Sequence, residues 1–203
     1  MKSLWFILMC IPLGVLSQDN EKIIAEIETV QQQLNAHYTN PETTVLKPED
    51  FEKFEGLEFY PIALEYRVEA TFVRTPDEEP FYMPTTTERL PLYVKYGELF
   101  FTWEGKQHQL DIFENLEPKK EEYKDYLFLP ITDLTSGDGS YGGGRYLDVK
   151  KSEVAQGKVV LDFNKLYNPY CAYNEKYSCP IPPAQNDLPI RIEAGVKDFF
   201  KAE

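Results

Sequence analysis

From Asn20 to about His37 the apolar residues Ile23, Ile27, Val30 and Leu34 recur at helical spacing, with Asp19 or Asn20 available as N-cap and Asn40-Pro41 as terminator. The spacing predicts one amphipathic helix. Its stripe is too short for the three or four heptads of a coiled-coil seam, so it is expected to pack on a sheet. Phe51, Phe54, Leu57, Phe59 and Tyr60 follow, ahead of Pro61, as an apolar entry into the core. The period then changes to two: in Glu65–Val73 the residues Tyr66, Val68, Ala70 and Phe72 alternate with Glu65, Arg67, Glu69 and Thr71. Further strands are expected at Phe81–Thr87, Leu92–Tyr96, Glu98–Trp103, Gln107–Phe113, Tyr126–Leu129, Arg145–Val149, Lys158–Phe163 and Leu188–Glu193, with turns at Tyr96-Gly97 and Glu104-Gly105. Strands joined so tightly are antiparallel. The fold class expected is mainly β, about nine or ten strands in an antiparallel sandwich or rolled barrel with one N-terminal amphipathic helix.

The first residues obey a different logic. Lys2 is followed by the apolar run Leu4–Leu16 and then by Ser17, the pattern of a secretory signal peptide over residues 1–17, with Val15 and Ser17 suited to cleavage before Gln18. Residues 18–203 then form a single β-rich domain, exported to the periplasm or the extracellular space, with no transmembrane segment in the mature chain. Met9 before Cys10 does not suit a lipid-anchoring site, so anchoring through Cys10 is disfavoured. Composition agrees with a folded globule: 42% hydrophobic, 14% aromatic and 27% charged residues. The net charge of −13, with no block of Lys or Arg to offset it, repels phosphate backbones and makes nucleic acid an unexpected partner.

Candidate chemistry gathers in two stretches, LPITDLTSGDGSYGGGRYLDV (Leu129–Val149) and LDFNKLYNPYCAYNEKYSCPIPP (Leu161–Pro183). Followed by LPIRIEAG, in this order and spacing, they resemble the family catalogued as domain of unknown function 1684, and FEGLEFYPI at Phe54–Ile62 and LFLPITD at Leu127–Asp133 look like it too. The resemblance covers most of the mature chain and implies no activity, substrate or cofactor. Where the family pattern has Phe this chain has Ile131, and where it has an acidic residue followed by Thr this chain has Gly139 and Ser140. Asp133, Arg145, Asp148, Asp162 and Cys171 are in place.

Gly137, Gly139 and Gly142 satisfy G-x-G-x-x-G, but GGRYLDV continues as a strand, so no helix N-terminus faces a pyrophosphate and the glycines are read as a bend where two backbones approach. No Walker loop occurs, and the spacing of Asp133 and Asp138 is wrong for an EF-hand. Arg145 offers a planar fork for a carboxylate or phosphate; the competing assignment is a structural ion pair with Asp148, Asp162 or Glu193. Asp133, Asp148, Asp162 and Glu193 could include an acid/base pair of a hydrolase, and Tyr167, Tyr170, Tyr173 and Tyr177 either stack on a sugar ring or pack with their hydroxyls on backbone.

The two histidines, His37 and His108, lie away from these stretches, so neither a Ser-His-Asp machine nor a metal site is expected, and no cofactor is implied. Cys171 and Cys179, the two cysteines beyond the leader, are expected to form a disulfide. The leading function is a binding module for a small polar or anionic ligand, with Arg145, Tyr146, Asn164, Tyr167, Asn168 and Tyr173 around it. The alternatives are a carboxylate-dependent hydrolase and a structural envelope protein.

Overall fold

The structure, a computed structural model, describes residues 13–118 and 120–199. Most of the expected leader, residues 1–12 with Cys10 among them, lies outside the described residues. Helix α1 spans Leu13–Thr39, longer than the apolar spacing indicates, so Asp19 and Asn20 lie inside it and cap nothing. The chain turns at Asn40, whose side-chain oxygen accepts the Glu42 N–H at 2.9 Å. Of the expected stripe Ile27 is fully buried and Ile23, Val30 and Leu34 are half-buried; Tyr38, one turn beyond Leu34, is fully buried as well. The helix meets the 3-10 turn Phe163–Lys165, just past the last long strand, and clusters through Leu34 and Tyr38 with Ala172 and Tyr173 of the tyrosine-rich loop.

A short helix α2 (Pro48–Phe51) leads into the sheet. The strands are β1 (Arg67–Arg74), β2 (Phe81–Tyr82), β3 (Leu92–Trp103), β4 (Lys106–Asn115), β5 (Tyr126–Asp133), β6 (Arg145–Lys150), β7 (Lys158–Asp162) and β8 (Asp187–Leu188), with α3 (Lys151–Val154) between β6 and β7. They form one eight-stranded sheet of order β6-β5-β4-β3-β1-β7, curled into a half-barrel, with β2 beside β3 and β8 parallel to β5. The architecture is thus mainly antiparallel β with one long N-terminal helix, in the rolled form rather than as two facing sheets.

Two expected strands, Leu92–Tyr96 and Glu98–Trp103, are one. The residue pairs Lys95↔Phe113 and Gly97↔Ile112 show a bulge in which β3 spends one extra residue at Tyr96. The bulge turns Tyr93 to one face, with Met83 and Phe113, and Leu99 and Phe101 to the other, in the main core. Gly97 is required at the bulge, because a Cβ there would lie 2.5 Å from the Val73 carbonyl and 2.4 Å from the Phe72 ring. The true hairpin is at Glu104-Gly105, where φ is +46° and +77°, the paired positive values of a type I′ turn.

The expected strands at Phe81–Thr87 and Leu188–Glu193 shrink to two-residue pairings, because their remaining backbone bonds go to loops. Thr86 N–H, for instance, donates to the Cys179 carbonyl at 2.9 Å. Between β4 and β5 the ladder contains the single pair Phe113↔Phe128. The fully buried Asn186 side chain takes over, donating to the Asp111 and Pro130 carbonyls at 2.8 and 2.7 Å and accepting the Asp111 N–H at 2.8 Å.

Candidate functional site

The loop from β5 to β6 is wound by its own hydroxyls. Thr135 N–H donates to Asp133 Oδ1 at 2.8 Å, Ser140 N–H to the Thr135 carbonyl at 2.9 Å, and the Thr135 and Ser140 hydroxyls meet at 2.8 Å. Ser140 is fully buried, and its hydroxyl makes the bond a threonine in that place could also make. Gly139 has φ +112°, and a Cβ there would meet the Tyr60 hydroxyl at 2.4 Å, so this chain's departure from the acid-Thr pattern is fitted to Tyr60. Gly144, at φ +88°, brings its backbone against the Ile131 carbonyl, where a Cβ would stand 2.4 Å away. The glycine run is a close approach of backbones.

Arg145 emerges from this loop into the interior, and its side chain has no exposed surface. Its Nη2 donates to Asp133 Oδ2 at 2.8 Å, Thr135 Oγ1 at 3.2 Å and the Ile192 carbonyl at 2.8 Å, and its Nη1 to the carbonyls of Ala194 and Val196. Asp133 Oδ1 in turn accepts the Ile192 N–H at 3.2 Å. The pair therefore welds the β5–β6 loop to the C-terminal segment. This corrects the expectation of a ligand-facing fork, and it also corrects the structural alternative: the partner is Asp133, not Asp148, Asp162 or Glu193. The physical reason is strand alternation, which points Arg145 to the same face as Leu147 and Val149.

The remaining candidates separate. Asp162 is buried and accepts from Asn164 N–H and Nδ2 at 3.2 and 3.0 Å, while its other oxygen faces Lys165 at 3.6 Å and Arg67 at 3.9 Å. Asn164 exchanges two 3.0 Å bonds with the Ala63 backbone and so fastens the end of β7 to the segment before β1. Tyr146 is buried, bonds the Pro180 carbonyl through its hydroxyl, and trades backbone bonds with Tyr167. On the same face Asp148 is open to solvent and accepts the Tyr167 hydroxyl at 2.9 Å. Desolvation by the surrounding atoms pushes its carboxyl above the ordinary value, and the Tyr167 hydroxyl opposes that shift. Glu193 is exposed and pairs with Arg191 at 3.3 Å.

Tyr173 and Asn168 meet: Asn168 Nδ2 donates to the Tyr173 hydroxyl at 3.3 Å and to the Lys197 carbonyl at 2.8 Å, and Asn168 Oδ1, fully buried, has no partner. Tyr173 lines a cavity of about 230 Å³ with Asp50, Lys53, Phe54, Glu55, Gly56, Leu57, Glu58, Val196, Lys197, Asp198 and Phe199. Phe199 packs on Phe54 and Tyr173 with ring centroids 6.3 and 5.0 Å away, giving the cavity an aromatic base below a charged rim. The rim is held by Asn35, which accepts the Leu57 N–H at 2.8 Å. Of the residues expected at a site, Tyr173 alone lines this cavity; Asp133, Asp148, Asp162 and Glu193 do not. In the sequence Phe51, Phe54, Leu57, Phe59 and Tyr60 read as a core entry; the signal for a cavity wall is the alternation of Phe54 and Leu57 with Lys53, Glu55 and Glu58.

Cys171 and Cys179 are both free thiols, side by side, so the expected disulfide is not present in this structure. Among the described residues no three His, Cys, Asp or Glu side chains gather as a metal-binding group, and no helix is long and apolar enough to cross a membrane.

The rolled eight-stranded sheet with its welded glycine loop defines the class, and comparison with known proteins places it. Residues 52–197 match the family model described as "Protein of unknown function (DUF1684)", and the chain belongs to that family. It is similar to the solution NMR structure of an uncharacterized protein from Haloarcula marismortui, with 29% identity over 89% of this chain and 96% of the other, and a TM-score of 0.70. No curated protein gives a match.

Proposed function

We propose that the chain is an exported binding module for a small polar ligand, held in the cavity beside Tyr173. The cavity itself is the observation that supports this reading, since about 230 Å³ suits a compact molecule and an aromatic base under a charged rim suits one with both an apolar and a charged side. Four carboxylates, Asp50, Glu55, Glu58 and Asp198, stand against two lysines, and the Lys197 ammonium lies 5.5 Å from the Tyr60 ring. Carboxylates around aromatic rings favour a cation, so the ligand is an amine rather than the anion that Arg145 suggested. The hydrolase alternative gains no support, because none of its carboxylates lines the cavity.

Export through the leader belongs to the same proposal. Cleavage after Ser17 leaves the part of α1 that carries Ile27, Leu34 and Tyr38, and it delivers Cys171 and Cys179 to surroundings in which a disulfide can form.

Thermal-shift screening of the mature chain tests the ligand class. Polyamines and amino sugars are expected to raise the melting midpoint, phosphates and dicarboxylates to leave it unchanged, and Asp198→Asn with Glu58→Gln to weaken the amine effect. A panel that shifts nothing, or a shift indifferent to both substitutions, overturns the reading.

A further inference from the structure

Cys171 and Cys179 stand at the two ends of the AYNEKYS bend, and their surroundings differ. Cys171 is the middle residue of the 3-10 turn Tyr170–Ala172 and is half-buried, whereas Cys179 is buried, 6% exposed. Segment 177–181 is strapped to residues 84–89: Cys179 N–H donates to Thr86 Oγ1 at 3.1 Å, Ile181 N–H to the Pro84 carbonyl at 2.9 Å, and Thr87 Oγ1 to Ser178 Oγ at 2.7 Å. The other end is fixed by Asn174, whose Nδ2 donates to the Val45 carbonyl at 3.1 Å. Between these anchors the Cys171 N–H donates to Cys179 Sγ at 3.1 Å, so the two residues are held side by side.

Each sulfur has a polar neighbour of its own: the Cys171 N–H lies against Cys179 Sγ, and the Tyr141 hydroxyl oxygen lies 3.8 Å from Cys171 Sγ. We propose that Cys171 and Cys179 form a two-cysteine site that small hydroperoxides oxidise reversibly, Cys171 reacting first and Cys179 resolving. The bond from Cys179 lowers the Cys171 thiol to about 6, helped by Tyr141 and Thr86, while donation to Cys171 and burial push Cys179 up. Tyr141, pushed up to about 12 chiefly by burial, remains a protonated donor at neutral pH.

In the first step the Cys171 thiolate attacks the outer peroxide oxygen, forming an S–O bond as the O–O bond breaks; the leaving alkoxide or hydroxide takes a proton from water. Cys179 then attacks the sulfenic sulfur, forming the S–S bond as the S–O bond breaks, and its proton leaves with the hydroxide as water. Two thiols lose two electrons to one hydroperoxide, and an external thiol reverses the change. Only Cys171 has the solvent access the first step needs. The site adds a chemistry independent of the cavity, so either can fail alone.

The reduced mature chain tests this directly. Hydrogen peroxide should remove two hydrogens from the intact mass, and dithiothreitol should restore them in the folded protein. Iodoacetamide should alkylate Cys171 with a midpoint at pH about 6 while leaving Cys179 unlabelled until denaturation, and Tyr141→Phe should move that midpoint up. In Cys179→Ser, dimedone should trap a sulfenic acid on Cys171; in Cys171→Ser, peroxide should leave Cys179 unchanged. Equal alkylation of both thiols, a sulfenic acid on Cys179 instead, or a bond that dithiothreitol reopens only after unfolding would overturn the proposal, the last in favour of a permanent structural disulfide.

Discussion

Two arginines hold the same loop from opposite sides. Arg145 grips the β5–β6 loop from within, through Asp133 and Thr135, and ties it to the carbonyls of Ile192, Ala194 and Val196. Arg191 grips it from outside, donating to Asp138 Oδ2 at 2.8 Å and to the Leu134 carbonyl at 3.0 Å. Both are planar forks with acid and carbonyl partners, yet one is fully buried and the other has a side chain 42% exposed. The difference teaches that solvent, not partner count, decides what such a contact contributes. Water competes for every bond of Arg191, whereas at Arg145 any lost bond leaves a buried group unpaired.

The largest effect is therefore expected from Arg145→Gln. It strands the Asp133 carboxylate, which is 5% exposed, and breaking one side of a buried pair costs about 3–5 kcal/mol. Urea denaturation should show that loss, and Arg145→Met with Asp133→Leu should recover part of it, because the stranded charge is then gone. If Arg145→Gln melts like the parent, the weld is not structural and the comparison collapses.

A second test extends the contrast between buried and exposed polar groups to pH. Burial, the largest cause for each, raises the hydroxyls of Tyr38, Tyr146 and Tyr167 far above their ordinary value of 10.0. A raised folded value means that the folded chain keeps these protons while the unfolded chain releases them. Their contribution is thus complete below pH 10.0 and declines as pH rises above it through the folded values. Melting midpoints should be level across neutral pH and fall steeply on the alkaline side of 10.0, with a shallower fall in Tyr38→Phe. An unchanged slope in that variant would show Tyr38 ionising as freely folded as unfolded.

The elements were legible where a local rule fixes them. Period-two alternation marks β1, and the Glu104-Gly105 hairpin follows from two residues accepting positive φ. The bulge at Lys95–Gly97 was hidden because Tyr96-Gly97 also reads as a turn; what excludes a turn is the partner strand β4, which continues past it. Asn186 was invisible for the same reason: its importance lies in a gap between β4 and β5 that no sequence window spans. At the candidate site, the tyrosine loop was recognisable by its composition. The cavity at Tyr173 was not, since most of its wall comes from residues 50–58 and 196–199, brought together by tertiary packing.

The smallest effect is expected from Arg191→Ala, and it is the sharpest check on the comparison. The variant removes the ion pairs to Asp138 and Glu193, at 2.8 and 3.3 Å, together with bonds to two backbone carbonyls. Every partner can turn to water: the Asp138 and Glu193 side chains are 79% and 53% exposed, and the loop keeps its internal Thr135–Ser140 bonds. Exposed pairs of this kind are weak and screened by salt. The melting midpoint should fall slightly at low ionic strength, and the difference from the parent should vanish as sodium chloride is added. A drop that rivals that of Arg145→Gln, or one that persists at high salt, would mean that the loop is held chiefly from outside, and that burial is the wrong explanation of what distinguishes the two arginines.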